Sequence, residues 1–183
     1  MIRRSAAAAA AVLAAVATLA SCTTVVSGYG TTRRPGAAVS SPDGDFSVTL
    51  PSGWADAPGK AAQFGAVTVY MGPAVDGFAS NINVTREDVG DITVTEYQQR
   101  TFDQVRAQLH ATLVDPPSPL SVDGDAALEY TVDDQQVGRS LRQRQTLVVH
   151  DGSGYVITYT ALRTAFDASS EAASAVVASW QWG

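Results

Sequence analysis

The chain has 183 residues, of which 45% are hydrophobic and 16% charged, and this composition is typical of a globular protein rather than a disordered one. The formal net charge of -6 argues against a nucleic acid partner, because binding to nucleic acid requires a basic surface. The single cysteine excludes an internal disulfide bond.

Residues 1–21 have the pattern of a bacterial export signal. A positively charged start precedes an uncharged run rich in alanine, which is too short for a membrane span. Leu19-Ala-Ser-Cys22 resembles the lipobox of bacterial lipoproteins, which implies cleavage between Ser21 and Cys22 and a lipid, with acyl chains such as palmitate, on the Cys22 thiol. The alternative is an ordinary export signal in which the cysteine occurs by chance.

The segment that follows has the composition of a linker. Residues 22–44 combine Thr, Ser, Gly and Pro without hydrophobic periodicity, which predicts a lipidated cysteine followed by a flexible tether. Residues 45–183 are then one domain. We expect the protein to lie at the extracytoplasmic face of the cell membrane, held there through its lipid anchor.

Alternating apolar and polar residues predict three strands at the start of this domain. The predicted apolar faces are Phe46, Val48 and Leu50 in the first strand, Val67, Val69 and Met71 in the second, and Phe78, Ile82 and Val84 in the third. The opposite side of the third strand carries Asn81 and Asn83.

A helix is predicted next. Thr93 and Glu96 have the spacing of a capping box, and apolar residues recur at helical intervals as far as Leu113. Pro116-Pro117 is expected to close this segment.

The second half of the domain returns to strands. Leu128, Tyr130 and Val132 alternate with polar residues, and Asp133-Asp134 is expected to begin a turn. Leu141–Val149 and Tyr155–Leu162 predict a long hairpin. Asp167 is expected to cap a last helix whose apolar face is Ala173, Val176, Val177 and Trp180. This order predicts an α+β fold, an antiparallel sheet with two main helices packed on it.

The chain resembles the LpqN/LpqT group of actinobacterial, chiefly mycobacterial, lipoproteins. The residues that carry the resemblance are Phe46–Trp54, Phe78–Val84, Val122–Ala127, Gln145–Tyr159 and the final Ser179-Trp180. The resemblance implies a PsbP-like fold and a binding or adaptor role at the cell envelope. These motifs contain no catalytic residue, so no reaction can be carried over.

The residue pattern of an enzyme is also missing from the sequence. It has no Gly-x-Ser-x-Gly motif, and its two histidines, His110 and His150, are forty residues apart and match no zinc pattern. We therefore expect no catalytic residues, no metal ligands and no cofactor.

One set of polar residues suggests a surface. If the strands are neighbours, the sides opposite the apolar ones form a single polar face, made of Asn81, Asn83, Glu129, Thr131, Arg142, Arg144, Thr158 and Thr160. The simpler interpretation is a solvated face with Arg–Glu cross-strand pairs. The alternative is a recognition surface, with Arg142, Arg144, Glu129, Asn81 and Asn83 as candidate binding residues.

The sequence thus favours a membrane-tethered binding or interaction module whose partner is a protein or an envelope component. The alternative function is a lipid or small-molecule carrier with an apolar pocket between sheet and helices. An enzyme is the third hypothesis, and a convergent site of perturbed titratable groups would support it.

Overall fold

The computed structural model describes residue 36 and residues 38–136 and 138–183. In chain order the elements are β1 Ala38–Ser40, β2 Phe46–Thr49, β3 Ala55–Asp56, α1 Pro58–Phe64, β4 Thr68–Val75, β5 Phe78–Asp88, α2 Val94–Leu109, β6 Thr112–Val122, β7 Asp125–Gln136, β8 Arg139–His150, β9 Ser153–Leu162, α3 Phe166–Ala178 and β10 Gln181–Trp182.

The strands form two antiparallel sheets. The larger sheet has seven strands in the order β3-β4-β5-β9-β8-β7-β6, and the smaller has three in the order β1-β2-β10. The expected α+β fold with an antiparallel sheet is therefore confirmed. The two main predicted helices are α2 and α3, and the structure adds a short helix, α1, which packs against β4.

The large sheet is buried on both faces. One face, here called the α3 face, carries Ile82, Ile157 and Tyr159, which pack with α3 and with the small sheet. The other, the α2 face, carries Tyr130 and Leu147, which pack with α2. Burial on both faces means that a polar side chain on either side of these strands can lie in the interior.

The core of the α3 face is aromatic. The Trp180 ring stacks on the Phe46 ring with their centroids 3.9 Å apart, and the edge of Tyr155 meets both rings. Trp54 and Trp180 are both buried, as expected for structural tryptophans. Because Trp180 precedes β10, which pairs with β2, the stack joins the chain terminus to the small sheet.

The domain begins earlier than predicted. Ala38–Ser40 forms a strand on β2, with Val39 buried, so the end of the predicted tether over residues 22–44 is wrong. A three-residue strand with a single apolar side chain has no periodicity in sequence, and it depends on its partner strand. The export signal, Cys22 and most of the predicted tether lie outside the described residues.

The predicted end of the first long helix is also wrong. The capping box of Thr93 and Glu96 is present, but α2 ends at Leu109, where His110 adopts a left-handed conformation with φ 52°. Pro116-Pro117 lies inside strand β6, within the register shift between Asp115 and Ser118. The sheet tolerates these prolines because β6 is an edge strand, where a missing N–H need not break a ladder.

Two smaller predictions in the second half need correction. Asp133-Asp134 does not begin a turn, because β7 continues to Gln136 and pairs with β8 throughout. Asp167 does not cap α3 either. It lies in the first turn of the helix, where its charge still suits the helix dipole, and the capping position is Ala165. The β8–β9 hairpin is confirmed, and Asp151-Gly152 forms its turn with positive φ at both residues.

Helix α2 rests on a glycine of the sheet. A Cβ atom built on Gly154 would lie 2.6 Å from the Tyr97 ring, which is closer than real Cβ atoms come to other groups. Tyr97 is buried, and the guanidinium of Arg100 beside it binds Glu87 with an N–O distance of 3.0 Å. The first turn of α2 is thus fixed by direct contact between an aromatic ring and the backbone of β9.

We predict that Gly154→Ala lowers the free energy of unfolding by about 1–3 kcal/mol, because the added methyl group must displace the Tyr97 ring. Thermal or urea unfolding measures this change. Gly59→Ala is the matched control, since a Cβ at Gly59 meets nothing within 4 Å. Equal unfolding of both variants would show that the Tyr97 contact does not fix α2.

Candidate functional site

The eight polar residues expected on one face of the sheet lie on two. Asn81 is opposite Thr160 and Asn83 is opposite Thr158, and these four lie on the α2 face. The other four, Glu129, Thr131, Arg142 and Arg144, lie on the α3 face. The predicted single face is therefore wrong, because β5 and β9 turn their apolar sides towards α3 whereas β7 and β8 turn theirs towards α2.

The two arginines on the α3 face make contacts within the protein. Arg142 forms a bidentate pair with Asp133, at 2.7 and 3.0 Å, and this hydrogen bonding lowers the pKa of the Asp133 carboxyl. Arg144 donates to the hydroxyl and carbonyl oxygens of Ser170 on α3, at 3.0 and 2.9 Å. The side chain of Arg144 is only 14% exposed and lies 3.6 Å from Glu129. The expected Arg–Glu pair thus exists, and the Arg144 side chain also joins α3 to the sheet through Ser170.

On the α2 face, the structure adds two residues that the sequence analysis did not select. Gln143 is opposite Thr160 and Gln145 is opposite Thr158, so two rows of Asn, Thr and Gln cross the central strands β5, β9 and β8. We call these six side chains the polar grid: Asn81, Asn83, Thr158, Thr160, Gln143 and Gln145.

The polar grid is buried and only partly hydrogen-bonded. Its six residues are between 2% and 8% exposed. In the part of the chain that the structure describes, Asn81 Oδ1 is buried and has no hydrogen-bond partner, while Asn81 Nδ2 donates to the Ala79 carbonyl oxygen at 3.4 Å. Because buried polar groups are normally paired, an unpaired oxygen among several buried amides and hydroxyls is compatible with a site that receives a polar ligand or water.

The glutamines of the grid continue into a hydrogen-bond chain. The Tyr130 hydroxyl donates to Gln145, Gln145 donates to Gln143 at 3.3 Å, and Gln143 donates to Asp134 at 3.2 Å. Gln136 also donates to Asp134, at 2.6 Å. The grid therefore ends at a carboxylate.

Helix α2 also has polar residues on its buried side. Gln98 and Thr101 are buried, and they lie in sequence between Tyr97 and Val105, the two residues that pack on the sheet. Thr101 donates to the carbonyl oxygen of Tyr97 at 2.9 Å. The interior between α2 and the sheet therefore combines an apolar cluster with buried amides and hydroxyls.

The side chains of the polar grid are mainly hydrogen-bonding groups. Amides and hydroxyls both donate and accept hydrogen bonds but do not change charge at ordinary pH, and Asp134 is the one titratable carboxyl group joined to them. Within the described ranges, no three His, Cys, Asp or Glu side chains are grouped so that they could hold a metal ion. No described helix is long and apolar enough to cross a membrane.

The pKa of Asp134 gives a stability test of this arrangement. Burial raises this pKa above its ordinary value, and hydrogen bonds from Gln136 and Gln143 oppose the increase. Since the folded chain then holds the proton more tightly than the unfolded chain, ionised Asp134 lowers the free energy of unfolding. This loss is present above the folded-state pKa and disappears as the pH falls towards the ordinary value of about 3.9.

We predict that Asp134→Asn melts at a higher temperature than the parent at neutral pH and that the difference shrinks on acidification. Melting curves across a pH series measure it. Asp133→Asn, on the opposite face of the same strand, should show the reverse sign because its pKa is lowered. A parent and an Asp134→Asn variant with the same melting temperature at every pH would contradict the assignment.

Solved structures with the same fold come from several bacteria. LpqN of Mycobacterium tuberculosis, described as involved in cell envelope biogenesis, is 15% identical with a TM-score of 0.60, over 79% of this chain and 88% of that one. The cyanobacterial PsbP of Synechocystis sp. PCC 6803 is 14% identical with a TM-score of 0.59, over 86% of this chain and 99% of that one. PA94 of Pseudomonas aeruginosa, of unknown function, is 17% identical with a TM-score of 0.53, over 79% and 91%.

These likenesses confirm the PsbP-like fold, whereas membership of the LpqN/LpqT group stays a prediction because the identity is low. No curated protein matches the sequence at a significant level. The family model of DcrB matches residues 45–179, which is most of the chain. The chain belongs to the DcrB family.

Proposed function

We propose that this protein is a membrane-tethered binding module of the cell envelope, without catalytic activity, and that the polar grid is its binding site. The observation that carries the proposal is a set of six buried, uncharged polar side chains, among which Asn81 Oδ1 has no hydrogen-bond partner in the described part of the chain. The lipobox-like Leu19–Cys22 supports attachment to the membrane. The involvement of LpqN in cell envelope biogenesis is consistent with this location.

The ligand that fits the grid is a small molecule dense in hydroxyl groups, such as a saccharide. Amide and hydroxyl side chains complement hydroxyl groups, which also donate and accept. An extended peptide fits less well, since peptides commonly add to the free edge of a sheet, and the backbones of β5, β9 and β8 are already paired on both sides. A purely apolar lipid would leave the grid unpaired at a cost in free energy.

Entry of such a ligand requires α2 to move away from the sheet. The helix packs through the smaller of the two apolar clusters, around Tyr97 and Val105, whereas α3 packs through the larger. Residues with positive φ stand at both ends of the helix, Gly90 at 61° and His110 at 52°. Connections of this kind can absorb the backbone rotation that a hinged element needs.

We predict that a neutral disaccharide raises the melting temperature of the protein and that Thr158→Val with Thr160→Val removes the effect. Valine keeps the shape of threonine but cannot hydrogen-bond. Thermal unfolding with maltose, cellobiose and lactose measures the shift, because a ligand at a hundred times its Kd adds about 2.7 kcal/mol.

Thr131→Val is the matched control for this experiment, since Thr131 is buried on the opposite face of the same sheet. It should keep the response. A parent protein that responds to none of the three sugars, or a grid variant that responds as the parent does, would overturn the proposal. Acyl chains found by mass spectrometry in the purified domain would favour the lipid carrier instead.

We predict that Cys22→Ser either releases the protein from the membrane fraction or leaves an uncleaved precursor, because serine has no thiol to take the lipid. Mass spectrometry of the mature amino terminus checks this. An unmodified terminus that begins elsewhere than Cys22 would contradict lipid anchoring, and it would leave the binding proposal standing.

A further inference from the structure

Asp134 differs from the other carboxylates of the domain interior. It is 5% exposed and is the one charged residue that is fully buried in the described part of the chain. Its Oδ2 accepts from Gln136 and Gln143, while its Oδ1 is buried and has no hydrogen-bond partner. A buried carboxylate is costly unless it is both paired and hydrogen-bonded.

Less deeply buried carboxylates elsewhere in the fold show how this protein normally offsets the free-energy cost of a buried charge. Five of them pair with a basic side chain of the same domain: Asp45 with Arg86, Glu87 with Arg100, Asp125 with His150, Glu129 with Arg144, and Asp133 with Arg142. Asp134 has only neutral amides as hydrogen-bond donors, although it is the most buried. A basic partner is what these five carboxylates have and what Asp134 lacks among the described residues.

We propose that Asp134 Oδ1 binds a primary ammonium group of the ligand that occupies the polar grid. This inference rests on the proposed function, because it assigns one end of the same site. The ligand is then a hydroxyl-rich molecule with an amine, such as an amino sugar. Its hydroxyl groups contact the Asn and Thr side chains, and its ammonium group completes the pairing of the buried carboxylate.

The position of Asp134 supports this assignment. Gln143 belongs to the grid and donates directly to Asp134, so the carboxylate is at hydrogen-bond distance from the site. The second amide donor, Gln136, also donates to Oδ2, so neither amide occupies Oδ1. An ammonium group has three donors and no acceptor, which complements an oxygen that has only lone pairs to offer.

A further feature separates Asp134 from a purely structural residue. Burial raises the pKa of its carboxyl group, so the ion costs stability in the free protein. A carboxylate stands here although asparagine would make the same two hydrogen bonds, and this local cost without a structural gain is consistent with a role in binding. A cation in the site would remove the cost, since opposite charges favour the ionised form.

The test uses three disaccharides that share a β-1,4-linked glucose framework and differ at carbon 2. Cellobiose carries hydroxyl groups there, chitobiose carries amines, and N,N′-diacetylchitobiose carries neutral amides. Isothermal titration is done with the full soluble domain at a pH where the chitobiose amines are protonated. We expect the parent to bind chitobiose about tenfold or more tightly than cellobiose, as a charge-assisted hydrogen bond should provide.

Asp134→Asn should bind the three sugars with similar affinity, because it keeps the shape and the amide contacts but loses the charge. Asp133→Asn removes the same charge from the opposite face of the same strand and should keep the preference for chitobiose. Melting curves of both variants establish that each is folded at the temperature of the titration.

The failures of the two proposals can be told apart. Binding of cellobiose without a preference for chitobiose would overturn the ammonium site and leave the polar grid as a neutral binding site. A preference that survives in Asp134→Asn would place the ammonium group elsewhere and would also overturn the inference. No binding of any of the three sugars would overturn both proposals together.

Discussion

Burial of the large sheet on both faces is the constraint on which the rest of this structure depends. Each central strand has one apolar side, but β5 and β9 turn theirs towards α3 whereas β7 and β8 turn theirs towards α2. The polar sides of all four strands therefore lie in the interior as well. On the α3 face the charged side chains of these strands form ion pairs. On the α2 face the polar side chains form a layer of uncharged amides and hydroxyls.

The two sides of the sheet are closed by different sets of contacts. The stack of Trp180 on Phe46 joins α3, the small sheet and the end of the chain, and Arg144 fastens α3 by two further hydrogen bonds. Helix α2 is held by a smaller cluster, in which Phe102 meets Tyr130 edge-on. The proposed binding site requires the element with the smaller apolar cluster, α2, to move.

Local signals in the sequence predicted local structure well. The capping box at Thr93 and the Asp151-Gly152 hairpin turn need only their neighbours in the chain, and both are present. The candidate site was harder to predict from the sequence, because the residues of the polar grid come together only when β9 lies between β5 and β8. In the sequence, Gln143 and Gln145 lie on the same side of β8 as Leu141 and Leu147, so this side looks apolar. Only the register with β9 shows that Thr158 and Thr160 lie beside the two glutamines. Strand β6 was not predicted, because its prolines were expected to close the helical segment.

Those prolines have a consequence under the proposed lipid anchor, which would place many copies of the protein on one surface. A lipid anchor confines molecules to two dimensions, so their unpaired strand edges meet often and can pair to form larger sheets. Strand β6 is the longer exposed edge of the large sheet, but Pro116, Pro117 and Pro119 have no N–H to offer and the ladder is irregular beside them. The opposite edge, β3, is two residues long. Neither edge therefore offers a neighbouring molecule an uninterrupted row of backbone hydrogen-bonding groups. Crowding at the membrane is compatible with copies that remain separate.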